Sequence, residues 1–258
     1  MEKDLKILLT NDDGIDAPGL YALYKAFQEL GEVMVVAPES ERSAVGHAIT
    51  LTDPLRVWPF EKNGEFYGYA VNGFPADCVK VAYWALLKNE RKPDLVVSGI
   101  NLGSNTGINV IYSGTVSAAT EGAILGIPSF AVSLTTLTDP KFDYAAKFSK
   151  KLAKIVVQRG LPKGVFLNVN IPPVSEDEIK GVEITVQGKA VYEEKFDVRK
   201  DPRNRLYYWL TGSKVDVEEE DHVDDRAIMK HKVSITPIHY DLTSYHFLDE
   251  LKSWKIER

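Results

Sequence analysis

The chain has 258 residues, 44% hydrophobic and 26% charged, the balance of a folded globular protein and not of a collagen-like, coiled-coil or disordered one. Its 31 basic and 37 acidic side chains leave a net charge of −6, so it has no global pull on nucleic-acid polymers or anionic lipid. One cysteine, Cys78, rules out an intramolecular disulfide and a cysteine-rich metal site, which fits the reducing cytoplasm.

Leu5 to Thr10 is a nearly continuous apolar run entered from Glu2-Lys3-Asp4, the pattern of a strand buried on both faces. The run is too short, and too soon broken by Asn11-Asp12-Asp13, for a signal peptide. No stretch approaches the ~20 apolar residues of a membrane span. Asp16 is the expected helix cap, with Pro18 in the first turn. Leu20, Leu23, Tyr24 and Phe27 then follow helical spacing, and Gly31 is expected to end that helix. Val33 to Ala37 is a second buried strand, so the first ~40 residues read as a βαβ unit.

The alternation continues. Leu55 to Phe60 and Phe66 to Val71 flank Lys62-Asn63-Gly64-Glu65 and read as a hairpin. Ala76 to Leu87 is helical, and Asp94 to Ser98 is a strand. Thr115 to Leu125 is an Ala-rich helix, and Ser129 to Leu134 a strand. Tyr144 to Gln158 is a helix, and Val165 to Val169 a strand. This pattern predicts an α/β fold with a Rossmann-like, doubly wound, mostly parallel sheet. After Pro172-Pro173 the period changes to 2, in Val182 to Val186, Leu206 to Leu210 and Val233 to Ile238. The division is therefore a core over residues 1–172 and an antiparallel, β-rich extension over residues 173–258.

Asn11-Asp12-Asp13-Gly14 directly follows the first strand, and ligands of open α/β sheets bind beyond the carboxyl ends of strands. Two adjacent carboxylates there repel unless a cation or hydrogen-bond donors compensate. By itself the segment reads more simply as a turn with solvated carboxylates. Ser43 follows the second strand and Asn101 ends another, so both fall at the same sheet edge. Together with Asp12 and Asp13 they make an all-oxygen set suited to Mg²⁺, Mn²⁺ or Ca²⁺ and unlike the His and Cys ligands of Zn²⁺. Asn101 to Ala118 holds Gly103, Gly107 and Gly114 among Ser104, Asn105, Ser113 and Thr115. Ser113-Gly114-Thr115 opens the Ala-rich helix, and a helix N-terminus flanked by hydroxyls is a ready phosphate site. A surface loop with an ordinary Ser cap is the alternative. His47 and His239 are candidate general acids, though a surface or structural role is simpler for both. Asp216 to Arg226 is strongly acidic and reads as a solvated loop, and the four Trp residues and Cys78 read as packing residues.

Thr10 to Gly14, Ala37-Pro38-Glu39, Glu41-Arg42-Ser43, Pro75 to Val79, Ser98 to Asn101, Ser113 to Val116 and Ser234 to Ile238 occur in that order. In this combination the chain resembles the SurE (survival protein E) nucleotidases over essentially its whole length. The resemblance implies a divalent-metal-dependent phosphatase that hydrolyses nucleoside 5′-monophosphates, some members also cleaving 3′-nucleotides or short polyphosphate. It implies metal ligands at Asp12, Asp13, Ser43 and Asn101, and a phosphate-binding loop at Asn105 and Ser113-Gly114-Thr115. Asn109 departs from the pattern, standing where an acidic residue is expected.

The expected catalytic residues are Asp12, Asn101 and Ser113, with one divalent ion, Mg²⁺ or Mn²⁺, for which Ca²⁺ could substitute in a crystal. Water is the preferred nucleophile, and direct attack by Asp12 the alternative. Two other classes remain open: a nucleotide-binding regulator without turnover, and a metal-dependent glycosyltransferase. The partners expected are a nucleotide and a second copy of the chain, as homodimer or homotetramer, with no membrane. Tyr207, Tyr208, Trp209 and Leu210 suit an interface anchored by aromatics. The family resemblance adds exchange of C-terminal segments between subunits, against the alternative that the extension folds back on its own core.

Overall fold

Strands form where the apolar runs stand, and helices where the apolar spacing is near 3.6 residues. The computed structural model describes residues 4–215, 221–254 and 256. Its first half runs β1 (Leu5–Thr10), α1 (Pro18–Phe27), β2 (Gly31–Pro38), β3 (Val57–Lys62), β4 (Glu65–Val71), α2 (Pro75–Val81) and β5 (Leu95–Leu102). Then come α3 (Asn109–Tyr112), α4 (Gly114–Ile124), β6 (Ser129–Leu134), α5 (Asp143–Arg159) and β7 (Val165–Ile171). The last third holds β8 (Val182–Ile184), β9 (Val191–Lys200), β10 (Leu206–Val215), α6 (Asp224–Met229), β11 (Val233–His239) and α7 (Leu248–Ser253).

Nine strands form one sheet in the order β3-β4-β2-β1-β5-β6-β7-β11-β8. The β1–β2, β1–β5, β5–β6 and β6–β7 pairs are parallel, whereas β3–β4 and β7–β11 are antiparallel. The sheet is covered on both sides, which is why its central strands are apolar at consecutive positions. Ile7 and Leu9 of β1 pack with Leu20, Leu23 and Phe27 of α1 and with Leu152 and Val156 of α5. Leu8, between them, faces the other way and packs with Cys78 and Val79 of α2 and Ala118 of α4. The chain leaves β1 toward β2 on one side and places β5 on the other, so the crevice between β1 and β5 is the switch point of the sheet.

Three local expectations give way to tertiary context. Asp16 does not cap α1: the cap is Ala17 with no side-chain bond, and Asp16 instead accepts from Lys62 Nζ at 2.6 Å. Gly31 does not end α1, which stops at Phe27. It opens β2 at φ +147°, where a Cβ would sit 2.2 Å from the Leu5 carbonyl oxygen, so glycine is needed for close pairing with β1. Cys78 is buried, but Trp58, Trp84, Trp209 and Trp254 are all exposed. They sit on an edge strand, beyond α2, on β10 and after α7, where no further layer of this chain covers them.

The change of texture near residue 172 is a change of pairing partner. β8 and β11 continue the main sheet, while β9 and β10 form a separate antiparallel two-stranded sheet over ten residue pairs. Glu2, Lys3 and residues 216–220 of the acidic run lie outside the described residues. The rest of that run is not a solvated loop throughout: Asp224 begins α6 and is fully buried.

Candidate active site

The ends of β1 and β5 and the start of α4 meet at the switch point. Asn11 closes the turn after β1, its Nδ2 donating to Gly14 O at 3.0 Å and its Oδ1 accepting from Gly14 N at 3.2 Å. Asp12 is buried, 5% exposed. Its carboxylate accepts from both the hydroxyl and the backbone N–H of Thr115, in the first turn of α4. That places the carboxylate at the positive end of the helix. Gly114 makes the approach feasible, since a Cβ there would lie 2.8 Å from Asp12 Cβ. The Asp12 carbonyl accepts from Arg42 N at 2.7 Å and so anchors the loop that carries Ser43. Ser43 Oγ donates to Glu41 Oε1 at 2.6 Å, leaving its lone pairs free. Asn101 Nδ2 donates to the carbonyls of Leu102 and Gly103, at 3.2 and 2.9 Å, which turns its oxygen to the other side.

Burial pushes the Asp12 carboxyl above its ordinary pKa, against the pull of the Thr115 hydrogen bonds. Burial, then the charges of Asp12 and Glu41, push Asp13 up to about 7. No basic side chain pairs with Asp12 or Asp13 among the described residues. A divalent cation fits this arrangement: two carboxylates, an amide oxygen and a hydroxyl make a hard oxygen set, and an ion offsets both the burial and the like charges that hold Asp13 high.

Asp12, Ser43, Asn101, Asn105, Asn109 and Ser113 line one cavity of about 640 Å³. Asp13 lines a smaller neighbour of about 220 Å³, with Glu41 and Leu102. Ser113 caps α4, its Oγ accepting from Val116 N at 3.1 Å, and it reaches the cavity as well. Gly114 and Thr115, expected at the phosphate, do not line the cavity; Thr115 is fully buried with its donors on Asp12. Their position follows from the order of the chain: once Ser113 is the cap, the next two residues turn under it toward β1.

Asn105 is held from three sides. Its Nδ2 donates to Ser133 Oγ at 2.8 Å, its N–H to Asn170 Oδ1 at 2.9 Å, and its carbonyl accepts from Asn168 Nδ2 at 2.7 Å. The neighbouring Gly107 N–H donates to Asp224 Oδ2 at 2.9 Å, and Thr106 Oγ1 donates to Asp225 Oδ1 at 2.8 Å. None of Ser133, Asn168, Asn170, Asp224 or Asp225 stood out in the sequence reading. Asn168 and Asn170 carried a signal, two amides inside the otherwise apolar strand Val165–Ile171. His47 sits away from the cavity, its Nε2 3.0 Å from Glu121 Oε2, while Lys80 Nζ donates to Glu121 Oε1 at 2.6 Å. Burial alone would raise the Glu121 carboxyl, but these two partners hold it below its ordinary range. His239 ends β11, far from β1, and its Nδ1 accepts from Asp241 N at 2.8 Å.

The sequence pattern of the family described as Survival protein SurE matches residues 7–194. The chain belongs to the SurE family. A protein of Syntrophobacter fumaroxidans named 5′-nucleotidase SurE is 51% identical over 98% of this chain and 100% of its own length. A protein of the same name from Syntrophus aciditrophicus is 53% identical over 96% of this chain and 93% of its own. The crystal structure of the SurE protein from Aquifex aeolicus matches with a TM-score of 0.84 at 42% identity, over 97% of this chain and 99% of that one. The match to the family pattern runs from β1 through β8 into β9, and the full-length relatives carry the likeness on through β11.

Proposed function

We propose that this SurE-family chain is a divalent-metal-dependent 5′-nucleotidase, hydrolysing nucleoside 5′-monophosphates to nucleoside and phosphate. One observation carries the reading: the adjacent carboxylates of buried Asp12 and half-buried Asp13 have no basic partner among the described residues and stand at a sheet switch point, where Asp12 lines a cavity that Ser113 also lines. Relatives about half identical over nearly the whole chain bear the 5′-nucleotidase name, which disfavours a non-catalytic regulator or a glycosyltransferase.

Asp12, Asp13, Asn101 and Ser43 would hold the ion, Mg²⁺ or Mn²⁺ by the hardness of the donors. When bound, it supplies Lewis-acid polarisation of a phosphoryl oxygen and acidifies water. Thr115 aims Asp12 by donating two hydrogen bonds to its carboxylate, which oppose the upward push of burial on that group. Ser113 presents a hydroxyl donor to the phosphoryl oxygens, and Asn105, fixed by β6 and β7, presents a rigid wall beside it. Phosphate release from a panel of nucleotides, before and after chelation and with each metal added back, tests the reading. Full turnover in excess chelator, after metal removal is confirmed, refutes it.

The same reading places the enzyme in the cytoplasm as a homodimer or homotetramer. Among the described residues no helix is long and apolar enough to cross a membrane. The β9–β10 hairpin leaves Phe196, Tyr208, Trp209 and Leu210 exposed, and a lone two-stranded sheet is marginal in water. Light scattering across a dilution series is expected to give a multiple of 28.8 kDa. A monomer at micromolar concentration with full activity counts against assembly.

A further inference from the structure

Asp12 and Asp13 follow closely on β1, and Asn101 lies in β5, so the sheet itself places three of the four residues proposed to hold the ion. Ser43 has no such support. It is exposed on the connection from β2 to β3, where residues 39–56 form neither helix nor strand. Its neighbour Ala44 is held at φ +54°, a left-handed conformation that a side chain disfavours. The segment therefore keeps this shape through contacts outside itself.

Before Ser43, the contact is Arg42 N donating to Asp12 O at 2.7 Å. After it, the contacts run mostly to α2 and α4, which pack on one face of the sheet. Gly46 N donates to Tyr112 O at 2.8 Å, and Ser117 Oγ of α4 donates to Gly46 O at 2.6 Å. Thr50 donates through its N–H and its hydroxyl to buried Asp77 of α2, at 3.0 and 2.7 Å. Between them, His47 is the first side chain after Ser43 to hydrogen-bond a helix. Its Nε2 lies 3.0 Å from Glu121 Oε2, and an ionised carboxylate only accepts, so the imidazole carries the proton there. Glu121 is 1% exposed, and a charge so buried needs partners. Lys80 of α2 is the other one, at 2.6 Å.

We propose that His47 is the latch of the metal site: by donating to Glu121 it fastens the Ser43 segment to α4, and so sets how tightly the site holds its divalent ion. It is a positioning residue, acting through Ser43 and touching neither ion nor substrate. The proposal rests on the metal-dependent reading above and names what tunes that same site. In it α4 serves twice. Its first turn aims Asp12 through Thr115, and its second half steadies Ser43 through Glu121. One rigid helix thereby aligns two ligands that come from separate loops.

The test is calorimetric titration of Mn²⁺ into the metal-free parent, His47→Ala and His47→Gln. His47 is about one-third exposed and Lys80 stays on Glu121, so truncation leaves the core and its buried charge in place. The Kd for Mn²⁺ is expected to rise about tenfold in His47→Ala, the lower end of what outer-shell partners of a metal are worth. It should return in His47→Gln, whose amide N–H can donate in place of the imidazole. In a Ser43→Ala background, His47→Ala should add almost nothing, because the hydroxyl it serves is already gone. An unchanged Kd in His47→Ala overturns the latch, even if the metal-free protein melts lower, and so does a loss that simply adds to that of Ser43→Ala. A parent that binds neither Mn²⁺ nor Mg²⁺ overturns the metal-dependent reading itself, and the latch with it.

Discussion

Asp12→Asn is expected to lower kcat/KM by at least about 10²-fold, because outer-shell partners of a metal already cost 10–100-fold and Asp12 is proposed to touch the ion directly. The substitution removes a charge and almost no volume. The Asp12 carboxylate is buried, with hydrogen bonds from Thr115 and from its own backbone N–H but no basic side chain against it among the described residues, so its charge is costly without a cation. The metal-free variant should therefore melt at or above the temperature of the metal-free parent. Added Mg²⁺ should raise the melting temperature of the parent and barely move that of the variant, since a ligand stabilises only the fold that binds it. Unchanged turnover and unchanged metal affinity in a folded Asp12→Asn protein would remove Asp12 from the site.

Ser113→Ala is expected to reduce kcat by about 10²–10³, the usual effect of deleting one preorganised donor to a developing negative charge. It has a second effect of different origin. Ser113 Oγ accepts from Val116 N at the start of α4, and losing such a cap costs about 1 kcal/mol. In a chain of this size that is about 2–4 °C in Tm. Ser113→Gly separates the two roles, because glycine at a helix cap costs only about a few tenths of a kcal/mol and brings no side-chain donor. Restored Tm with kcat still low assigns the hydroxyl to chemistry; recovery of both assigns Ser113 to capping alone.

The parallel core was legible because its strands are short apolar runs and its helices have one apolar stripe, both properties of neighbouring residues. Asp12, Asn101 and Ser113 stood out for the same reason: each follows a strand or opens a helix, where side chains reach a sheet edge. The supports of the site were not legible. Nothing near Gly107 says that its N–H meets Asp224, which sits in a run whose composition signals solvent. Nor does local sequence say that β11 enters the sheet between β7 and β8, since pairing across a long separation is decided by the whole layer. Gly31 and Asp16 misled because a strand contact and a lysine from β3 outcompeted the helix-end roles their residue types favour.

The hydrogen bond from Gly107 to Asp224 spans 117 positions of sequence. During synthesis the sheet from β1 to β7 can assemble before Asp224 exists outside the ribosome. Until it arrives, the Gly107 N–H is a donor without its partner in a place built to exclude water, a deficit of about 1–3 kcal/mol. Closing so long a loop also carries an entropic cost that the earlier strands do not share. Helical and sheet content should therefore appear ahead of catalytic competence on refolding. A nascent chain stopped short of α6 would hold the complete carboxylate pair yet wait, inactive, for an anchor translated more than a hundred residues after the loop it fastens.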